Sequence, residues 1–396
     1  MKIAITVQRY GVDIVGGAEY LTRKIAEHLS KFHEVEVLTT CAGDYISWKN
    51  ELKEGVEEIN GVRVRRFRNS SSRDMNKFMA IQEKVFYGTV HTAEDEIQWV
   101  REQGPYSPDL VRYIQGHKKE YDIFIFSTFR YFPTFYALPF VSEKSIIIPF
   151  AEDDPALKLK ISKKLFELTR GIIFSSPEER NLIQKQIGSL NKISDTIGCG
   201  IDLRPPNNSV IKSSLKKLSV EGNFVLYLGR VDGSKGCYTL FDYFSKYVDE
   251  TKIKDKLILA GTKQIPVPRN PSIRFIGRVS ELEKGALLKS ANLVVMPSYL
   301  ESFSLVTLEA MLSGIPVLVN GSCEVLKGHC IRSNGGLWYE TYDEFKECLN
   351  LLLSNKTLRK KLGKNGRIYV KKNYSWDIVE KKFLKILEKI SKCNKK

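Results

Sequence analysis

The sequence lacks any apolar run long enough to cross a bilayer. None of its 396 residues lies in a stretch approaching the roughly 18–20 consecutive apolar residues that a transmembrane helix needs. The opening "MKIAITVQRYG" has one lysine and a short alternating apolar run, which is typical of a first strand rather than of a signal peptide. We therefore expect a cytoplasmic protein.

The sequence is also poor in patterns that bind metals or common cofactors. Its seven cysteines are odd in number and form no CxxC pair, and its five histidines show no metal-ligand spacing. This composition predicts reduced thiols and no metal site. The GxxxxGK[ST] and GxGxxG patterns are missing as well, which argues against a Walker loop and against a nicotinamide cofactor.

Positive charge, in contrast, is abundant, with 62 lysines and arginines against 46 acidic residues and a net charge of +16. Nucleic acid, an anionic membrane surface or a polyphosphate ligand would each explain this excess, and so would a lysine-rich proteome. No aromatic–basic RNA motif or recognition-helix module is present, so we do not expect a nucleic-acid partner.

Strand-like and helix-like segments alternate twice along the chain, which predicts two doubly wound α/β domains. A long insert at 70–120 is too long for a simple loop and is expected to be partly helical. The expected divisions are an N-terminal domain at 1–198, a linker at 199–222, a C-terminal domain at 223–372 and a final helix at 373–396.

Two glutamates stand out in "YLESFSLVTLEAMLSGIPVLVN", residues 299–320. A buried strand ends at Pro297, Ser304 is a candidate N-cap, and a helix follows. Glu301 then lies in the loop at the carboxyl end of a strand, and Glu309 in the following helix points back toward it. Ligands bind at that edge of open α/β sheets, although two solvated surface glutamates would give the same spacing.

Three other segments offer binding chemistry. In "YLGRVDGSKG", Arg230 and Lys235 flank a glycine-bearing turn between a strand and a helix, which would suit an anion or form an ordinary basic turn. The Gly16-Gly17 pair would let backbone approach a ligand, or simply begin a helix. In "AEDDPAL" (151–157), Asp153 and Asp154 suit helix capping better than metal binding, and the role of Glu152 stays open.

The segments "GGAE", "GRVDGSKG", "FIGRVS" and "ESFSLVTLEAMLSGIPVL", in this order, resemble the retaining glycosyltransferases of family 4. "GCGID" at 198–202 resembles the element at that family's domain junction. The resemblance extends from Ile3 to Trp376. It implies the GT-B fold, with two Rossmann-like domains facing an interdomain cleft and a last helix crossing back to the first domain.

The resemblance also implies roles for individual residues. Glu301 would meet hydroxyls of the donor sugar, and Glu309 would accept hydrogen bonds from the ribose of the nucleotide. Val279 would lie against the base. Gly16 and Gly17 would close the cleft from the first domain.

The diphosphate of the donor would be held by backbone and by cations. Phe303, Ser304 and Leu305 would present backbone amides to the sugar and diphosphate. Arg230 and Lys235 would neutralise the leaving diphosphate, which fits a mechanism without a metal. With Glu301, these two cations form the expected catalytic set.

The expected activity is therefore retaining, metal-independent transfer of a hexose-like sugar from a nucleotide diphosphate to a glycan or lipid-linked acceptor, as in cell-surface polysaccharide or glycoconjugate synthesis. No cofactor besides the donor is expected. Similar sequences commonly have histidine where this chain has Glu152, near the donor sugar. That departure leaves open a non-catalytic GT-B partner subunit that binds a nucleotide-sugar or glycan.

Basic residues of the first domain suggest where a membrane would be contacted. The segment 155–170, "PALKLKISKKLFELTR", is expected to be a helix with four lysines mostly off its apolar stripe, and "VRVRRFR" (62–68) adds a basic strand. We therefore expect peripheral binding to anionic lipid at the inner membrane face, with a solvated lysine-rich surface as the alternative.

Overall fold

The computed structural model describes residues 1–14, 16–202 and 206–394. Residues 203–205 of the expected linker and residues 395–396 of the expected last helix lie outside the described residues, as does residue 15 beside the first glycine pair. The chain divides into two compact units. Unit 1 comprises Met1–Cys199 with Val379–Lys396, and unit 2 comprises Gly200–Ile378.

Unit 1 is built on an eight-stranded sheet. Its strands are β1 (Lys2–Thr6), β2 (Glu34–Thr40), β3 (Gly55–Ile59), β4 (Val62–Phe67), β5 (Ile123–Ser127), β6 (Ser145–Ile148), β7 (Gly171–Phe174) and β8 (Ile193–Thr196). Their order is β3-β4-β2-β1-β5-β6-β7-β8, and only β3 and β4 are antiparallel. Strands β5, β6 and β7 are buried along their whole length, as the near-continuous apolar sequences of parallel strands require.

Helices cover this sheet, and three of them form the insert between β4 and β5. The helices are α1 (Gly17–Leu29), α2 (Met75–Tyr87), α3 (Ala93–Gln103), α4 (Pro108–His117), α5 (Phe132–Ala137), α6 (Lys160–Leu168) and α7 (Pro177–Ile187). The prediction that the insert is partly helical is confirmed. The single helix expected over 155–170 is wrong, because the extended backbone of the buried Leu159 separates a short turn, Pro155–Lys158, from α6.

Unit 2 is built on six parallel strands. They are β9 (Phe224–Leu228), β10 (Lys256–Ala260), β11 (Ile273–Gly277), β12 (Leu293–Met296), β13 (Val317–Asn320) and β14 (Gly336–Tyr339). Their order is β11-β10-β9-β12-β13-β14. The order reverses between β9 and β12, so the loops that follow these two neighbouring strands diverge and leave a crevice at their carboxyl ends.

The helices of unit 2 include one that the sequence did not predict. They are α8 (Asn208–Lys217), α9 (Cys237–Thr251), α10 (Glu281–Ser290), α11 (Leu305–Ser313), α12 (Glu324–Ser333), α13 (Tyr342–Ser354) and α14 (Lys356–Tyr374). Helix α8 lies inside the segment expected to be a linker. Asn207 caps it, and its Lys217 forms an ion pair with Glu283 of α10, so the segment is part of unit 2 instead of a plain connection.

The last helix, α15 (Trp376–Asn394), begins at the end of unit 2 and continues in unit 1. Val379, Phe383, Leu387 and Ile390 recur at helical spacing and are all buried, so this apolar stripe of the helix packs on protein. Near the start of this stripe, Glu380 accepts a hydrogen bond from Lys31 at 3.0 Å. Among the described residues, no helix combines the length and the apolar character that crossing a membrane would demand.

Candidate functional site

Two loops of unit 2 meet at the point where its strand order reverses. One follows β9 and runs to Gly236, and the other follows β12 from Pro297 to Ser304. Gly236 has a left-handed backbone (φ 74°), and a Cβ atom added there would lie 2.1 Å from the carbonyl oxygen of Pro297. A glycine is therefore needed for the two loops to approach each other this closely.

This approach brings Lys235 and Glu301 together, although 66 residues separate them in the chain. Lys235 Nζ lies 2.9 Å from Glu301 Oε1, and both side chains are partly exposed. The same ammonium also reaches the carbonyl oxygen of Leu300 at 3.4 Å. The structure thus places a cation from the first loop directly on a carboxylate of the second.

Arg230 is held at the start of the first loop by an ion pair. Its Nε atom lies 2.8 Å from Asp232 Oδ2, and Asp232 also caps the following turn by accepting from the Ser234 N–H at 2.8 Å. Burial opposes ionisation of Asp232, but the Ser234 hydrogen bonds and the Arg230 charge outweigh it and lower its pKa. Asp232 is therefore a charged partner that orients the guanidinium.

The helix that begins after Ser304 has an unusual N-terminus. Ser304 occupies the predicted N-cap position, but its backbone is left-handed (φ 59°) and its side chain makes no capping hydrogen bond. Its Oγ instead lies 2.9 Å from Thr307 Oγ1, so the expected side-chain cap is wrong. A non-glycine residue in this conformation costs roughly 1–2 kcal/mol, and such strain tends to be retained at functional sites.

Helix α9, which follows the neighbouring strand, has no side-chain cap either, because Gly236 is its N-cap. In contrast, Ser280 and Thr341 close α10 and α13 with full capping boxes. The first N–H groups of α9 and α11 thus lack an internal side-chain acceptor, at adjacent strand ends. Two such helix N-termini, with the positive ends of their dipoles, form a suitable environment for an anion.

Glu309 lies on α11 and is buried, and it pairs with a lysine that sequence reasoning missed. Lys284 Nζ on α10 lies 2.7 Å from Glu309 Oε1 and 2.8 Å from Glu281 Oε2. Burial alone would lower the pKa of Lys284, but the two carboxylates outweigh it and raise the pKa. Burial raises the pKa of Glu309, and the Lys284 ammonium opposes this.

The side chain of Phe303 is buried against His329 and Tyr374, so only its backbone is available to the candidate site. His329 Nε2 lies 2.9 Å from the Phe303 carbonyl oxygen, and Tyr369 OH lies 3.1 Å from Nδ1. A carbonyl can only accept, so Nε2 carries the proton. Burial, together with the Arg332 charge, lowers the pKa of His329 to about 4, and the neutral ring holds the loop in place.

Leu305 and Val279 are both partly buried, at different strand ends. Leu305 is the first residue of α11, where a backbone N–H is directed out of the helix. Val279 lies between the end of β11 and the start of α10, whose Ser280 cap fixes the turn. α10 also carries Lys284, so the turn leads into the helix that is paired with Glu309.

In unit 1, the first glycine pair adjoins a buried ion pair. A Cβ atom at Gly16 would lie 2.0 Å from Glu19 Oε2, whereas one at Gly17 would meet no atom within 4 Å. Glu19 Oε1 accepts from Arg9 Nη2 at 2.6 Å and from Gln8 Nε2 at 3.0 Å. A side chain at position 16 would therefore displace the Glu19 carboxylate from this ion pair, whereas position 17 has room for one.

The acidic residues that follow β6 have different contacts and different roles. Asp154 Oδ1 accepts from the Ala156 N–H at 2.7 Å, so the capping role expected for Asp154 is confirmed, and its Oδ2 pairs with Arg130. Glu152 is half-buried, and its charge contributes to the raised pKa of Glu179. Glu179 is buried and accepts from two backbone N–H groups, yet burial raises its pKa to about 7.

Two α/β units with mainly parallel sheets, one of which has a strand-order reversal beside cations and uncapped helix N-termini, are typical of a GT-B-type protein. The sequence profile of the family described as "Glycosyl transferases group 1" matches residues 212–369, within unit 2. This match confirms the resemblance to glycosyltransferases that the sequence motifs indicated.

Curated relatives share part of the chain. An uncharacterized glycosyltransferase of Methanocaldococcus jannaschii is 30% identical over 43% of this chain and 49% of its own length. The N,N'-diacetylbacillosaminyl-diphospho-undecaprenol alpha-1,3-N-acetylgalactosaminyltransferase of Campylobacter jejuni is 25% identical over 58% of this chain and 63% of its own. This chain thus spans about half the length of the curated relatives it matches.

Solved structures extend the likeness of fold to nearly the whole chain. Sucrose-phosphate synthase of Thermosynechococcus elongatus superposes with a TM-score of 0.72 at 18% identity, covering 98% of both chains. HepE of Anabaena, solved with UDP-glucose, gives a TM-score of 0.72 at 17% identity, covering 98% of this chain and all of that one. The GT-B fold predicted from the sequence is confirmed.

Proposed function

We propose that this protein is a glycosyltransferase that moves a sugar from a nucleotide-diphosphate donor with retention of configuration. The observation that carries the proposal is the convergence of Arg230 and Lys235 on a strand-order reversal where two helices begin without side-chain caps. Cations and backbone N–H groups together match the two negative phosphates of such a donor. The retaining outcome rests on the resemblance of the Glu301–Glu309 segment to family 4.

Each site residue has a chemical task in this proposal. Glu301 accepts hydrogen bonds from sugar hydroxyls, and Glu309 from ribose hydroxyls. Backbone N–H groups at the start of α11 hold the diphosphate. Val279, at the turn before α10, packs on the base.

The chemical step separates charge, and the two cations are placed to compensate for it. The acceptor hydroxyl oxygen bonds to the anomeric carbon as the bond from that carbon to the diphosphate breaks, and the hydroxyl proton passes to the departing phosphate oxygen. The electron pair of the broken bond remains on the diphosphate, whose charge Arg230 and Lys235 stabilise more strongly as it develops. Because these cations supply the compensation, we propose that the chemical step requires no metal ion.

A cavity in unit 1 supports a glycan acceptor. It has a volume of about 530 Å³ and lies between α2, α3 and the end of α5. Tyr106, Tyr136, Arg101 and Gln98 are among its lining residues. Aromatic faces and planar polar side chains of this kind pack on sugar rings and bond to hydroxyls.

We further propose a cytoplasmic protein whose acceptor is a glycan or a lipid-linked sugar at a membrane surface. Names among the relatives support this: one refers to diphospho-undecaprenol, and another, from Staphylococcus aureus, to capsular polysaccharide biosynthesis. The lysines of α6 are exposed. The arginines of β4 contribute less than expected, because Arg65 and Arg66 bond to Glu36 and Glu57.

A thermal-shift titration with UDP-, GDP- and ADP-sugars tests the donor proposal. One nucleotide series should raise the melting temperature in proportion to the logarithm of ligand concentration. Lys235→Ala should reduce the shift strongly, whereas Lys346→Ala should not. Lys346 pairs with Glu250 near the far end of α9, so it matches the chemistry of the Lys235 pair away from the crevice. Equal losses in the two variants would refute the site assignment.

Glu152 motivates a second proposal, a partner subunit that binds a nucleotide-sugar without transferring it. An ionised carboxylate cannot donate to a donor sugar as a histidine can. Donor hydrolysis or transfer by the purified chain would exclude this alternative. A clear thermal shift without any turnover would favour it.

A further inference from the structure

The turn that joins α2 to α3 exposes two large apolar side chains. Tyr87 is 74% exposed and Val90 is 78% exposed, the highest values among the large hydrophobic residues that the structure describes. Single exposed apolar residues are common, but here two of them lie three residues apart, at the same end, or tip, of the α2–α3 hairpin. Exposed apolar residues grouped in this way are typical of a surface that another molecule or a membrane covers.

The helices on either side hold the tip firmly. Phe86 packs on the buried Trp99 with ring centroids 5.2 Å apart, and Lys84 Nζ bonds to Asp95 Oδ1 at 2.7 Å across the two helices. Thr92 and Asp95 close the start of α3 with a capping box. The apolar tip is thus presented by a braced helical hairpin.

The hairpin also packs directly against the start of the lysine-rich α6. The buried Glu96 of α3 accepts from the backbone N–H groups of Lys160 at 3.3 Å and Ile161 at 2.8 Å. Its Oε1 atom lies 2.9 Å from Nε2 of His91, the residue after Val90. One carboxylate therefore ties the apolar tip to the first turn of α6.

Four exposed lysines are found on this neighbouring segment: Lys158, Lys160, Lys163 and Lys164. Lys160, Lys163 and Lys164 lie on the outer face of α6, whose Leu165 and Phe166 are buried, and Lys158 lies in the turn before it. Cations beside an apolar protrusion complement an anionic bilayer, in which headgroups attract lysines and the interface accepts aromatic and aliphatic side chains.

We propose that the Tyr87–Val90 turn inserts into the headgroup–acyl boundary of an anionic membrane while the α6 lysines bind lipid headgroups. The proposal deepens the proposed function, on which it rests for the identity of the acceptor. Lys77 of α2 and Arg101 of α3 line the cavity described above, so insertion of the tip would hold that cavity near a lipid-linked sugar.

Vesicle co-sedimentation of the full chain tests this surface. The wild type should bind vesicles of phosphatidylcholine mixed with phosphatidylglycerol and not vesicles of phosphatidylcholine alone. Tyr87→Ser with Val90→Ser should lower the partition coefficient by about tenfold or more, since both apolar anchors are lost. Ile331→Ser is the matched control, because Ile331 is 59% exposed on unit 2 and should leave binding unchanged.

Varying the salt concentration distinguishes the electrostatic contribution of the lysines from the apolar contribution of the tip. Lys163→Ser with Lys164→Ser should weaken binding at low salt and flatten its salt dependence, because screening acts on the lysines. The variant without apolar anchors should keep the salt dependence of the wild type. The Tyr87→Trp variant should retain binding and gain fluorescence that brominated lipids quench, which a purely electrostatic contact would not produce.

Several results would overturn the proposal. These are unchanged binding of the variant without Tyr87 and Val90, an unquenched tryptophan at position 87, and equal binding of the wild type to neutral and anionic vesicles. Absence of binding to both kinds of vesicle would overturn it too and leave the tip as a candidate protein contact. A nucleotide-sugar thermal shift in the same samples shows separately whether the donor proposal stands.

Discussion

Replacing Lys284 with methionine should destabilise unit 2 and do so more at high pH. Methionine keeps most of the apolar stem of the lysine but removes the ammonium that lies 2.7 Å from Glu309 Oε1. Glu309 would then be a buried carboxylate without the cation that this contact supplies. The charge of Lys284 depends less on Glu309 than the reverse, because the Lys284 ammonium also bonds to Glu281 at the surface.

The magnitude follows from the burial of the pair, whose side chains are 16% and 6% exposed. Removing one partner of a buried ion pair costs about 3–5 kcal/mol, and the partial exposure of Lys284 favours the lower end, about 3 kcal/mol. For a unit of this size, that corresponds to a fall in melting temperature of about 6–12 °C.

The pH dependence has a definite sign. Burial raises the pKa of Glu309, and loss of Lys284 raises it further. A carboxyl group whose pKa is higher in the folded state contributes stability at low pH that is lost as the pH rises through the folded-state pKa. The deficit of Lys284→Met relative to the wild type should therefore be smaller at pH 5 than at pH 8.

Thermal unfolding of four proteins measures the coupling: wild type, Lys284→Met, Glu309→Gln and the double variant. The double variant should recover most of the stability that Lys284→Met loses, since glutamine leaves no buried charge. Lys289→Met is the control, because Lys289 lies on the same helix and bonds to the Ser313 carbonyl oxygen instead of a carboxylate. A Lys284→Met protein melting within about 1 °C of the wild type at pH 8 would refute the reasoning.

Arg230→Ala and Lys235→Ala should each lower kcat by at least about tenfold, while wild-type activity should persist in EDTA; a strict requirement of the chemical step for Mg²⁺ or Mn²⁺ would contradict this. Glu309→Gln should raise the donor KM more than it lowers kcat, and the reverse split would exclude a ribose contact. Glu301→Gln should weaken binding of the nucleotide-sugar more than of the free nucleotide, measured by calorimetry, and equal losses would exclude a sugar contact. Burial lowers the pKa of His329 from 6.5 to about 4, so the free energy of unfolding should fall by about 3 kcal/mol as the pH drops across this interval. In thermal melts, His329→Gln should lose less stability than the wild type over the same pH range.

Most of the sheet could be predicted, and the strands that were missed share a physical cause. β3, β8 and β14 are edge strands. β3 is largely exposed, and β8 is only partly buried, so neither has the apolar run that marked the central strands. The helix α8 was missed for a related reason, because its sequence is polar and Ser214 is its one buried residue among those described. The local pattern of apolar residues identifies buried elements well. These elements are scarcely buried, so the pattern does not mark them.

The site shows a different limit. The sequence singled out Glu301 and Lys235 because each lies in a motif beside a strand end, and Glu309 because it follows Glu301 in the same motif. Lys284 and Glu19 were missed, although Glu19 stands in the quoted "GGAE". Their partners are 25 and 10 residues away, and such pairings depend on how helices and strand ends are packed. At the start of α11, where a ligand is expected, the left-handed backbone of Ser304 and its missing capping hydrogen bond departed from the local rule.

The three cations of the unit 2 site share one feature, because each is already paired with a carboxylate: Arg230 with Asp232, Lys235 with Glu301, and Lys284 with Glu309. Pairing keeps these charges oriented without leaving any of them buried alone. In the proposed function, this pairing would also couple the binding of the diphosphate to the binding of the sugar. If the diphosphate takes Lys235, Glu301 loses its cation and gains free acceptor oxygens, which a sugar hydroxyl can satisfy and a free nucleotide cannot. In the proposed function, the Lys235–Glu301 pair would therefore favour ligands that carry both groups, and the ion pair would keep both charges compensated in the absence of the donor.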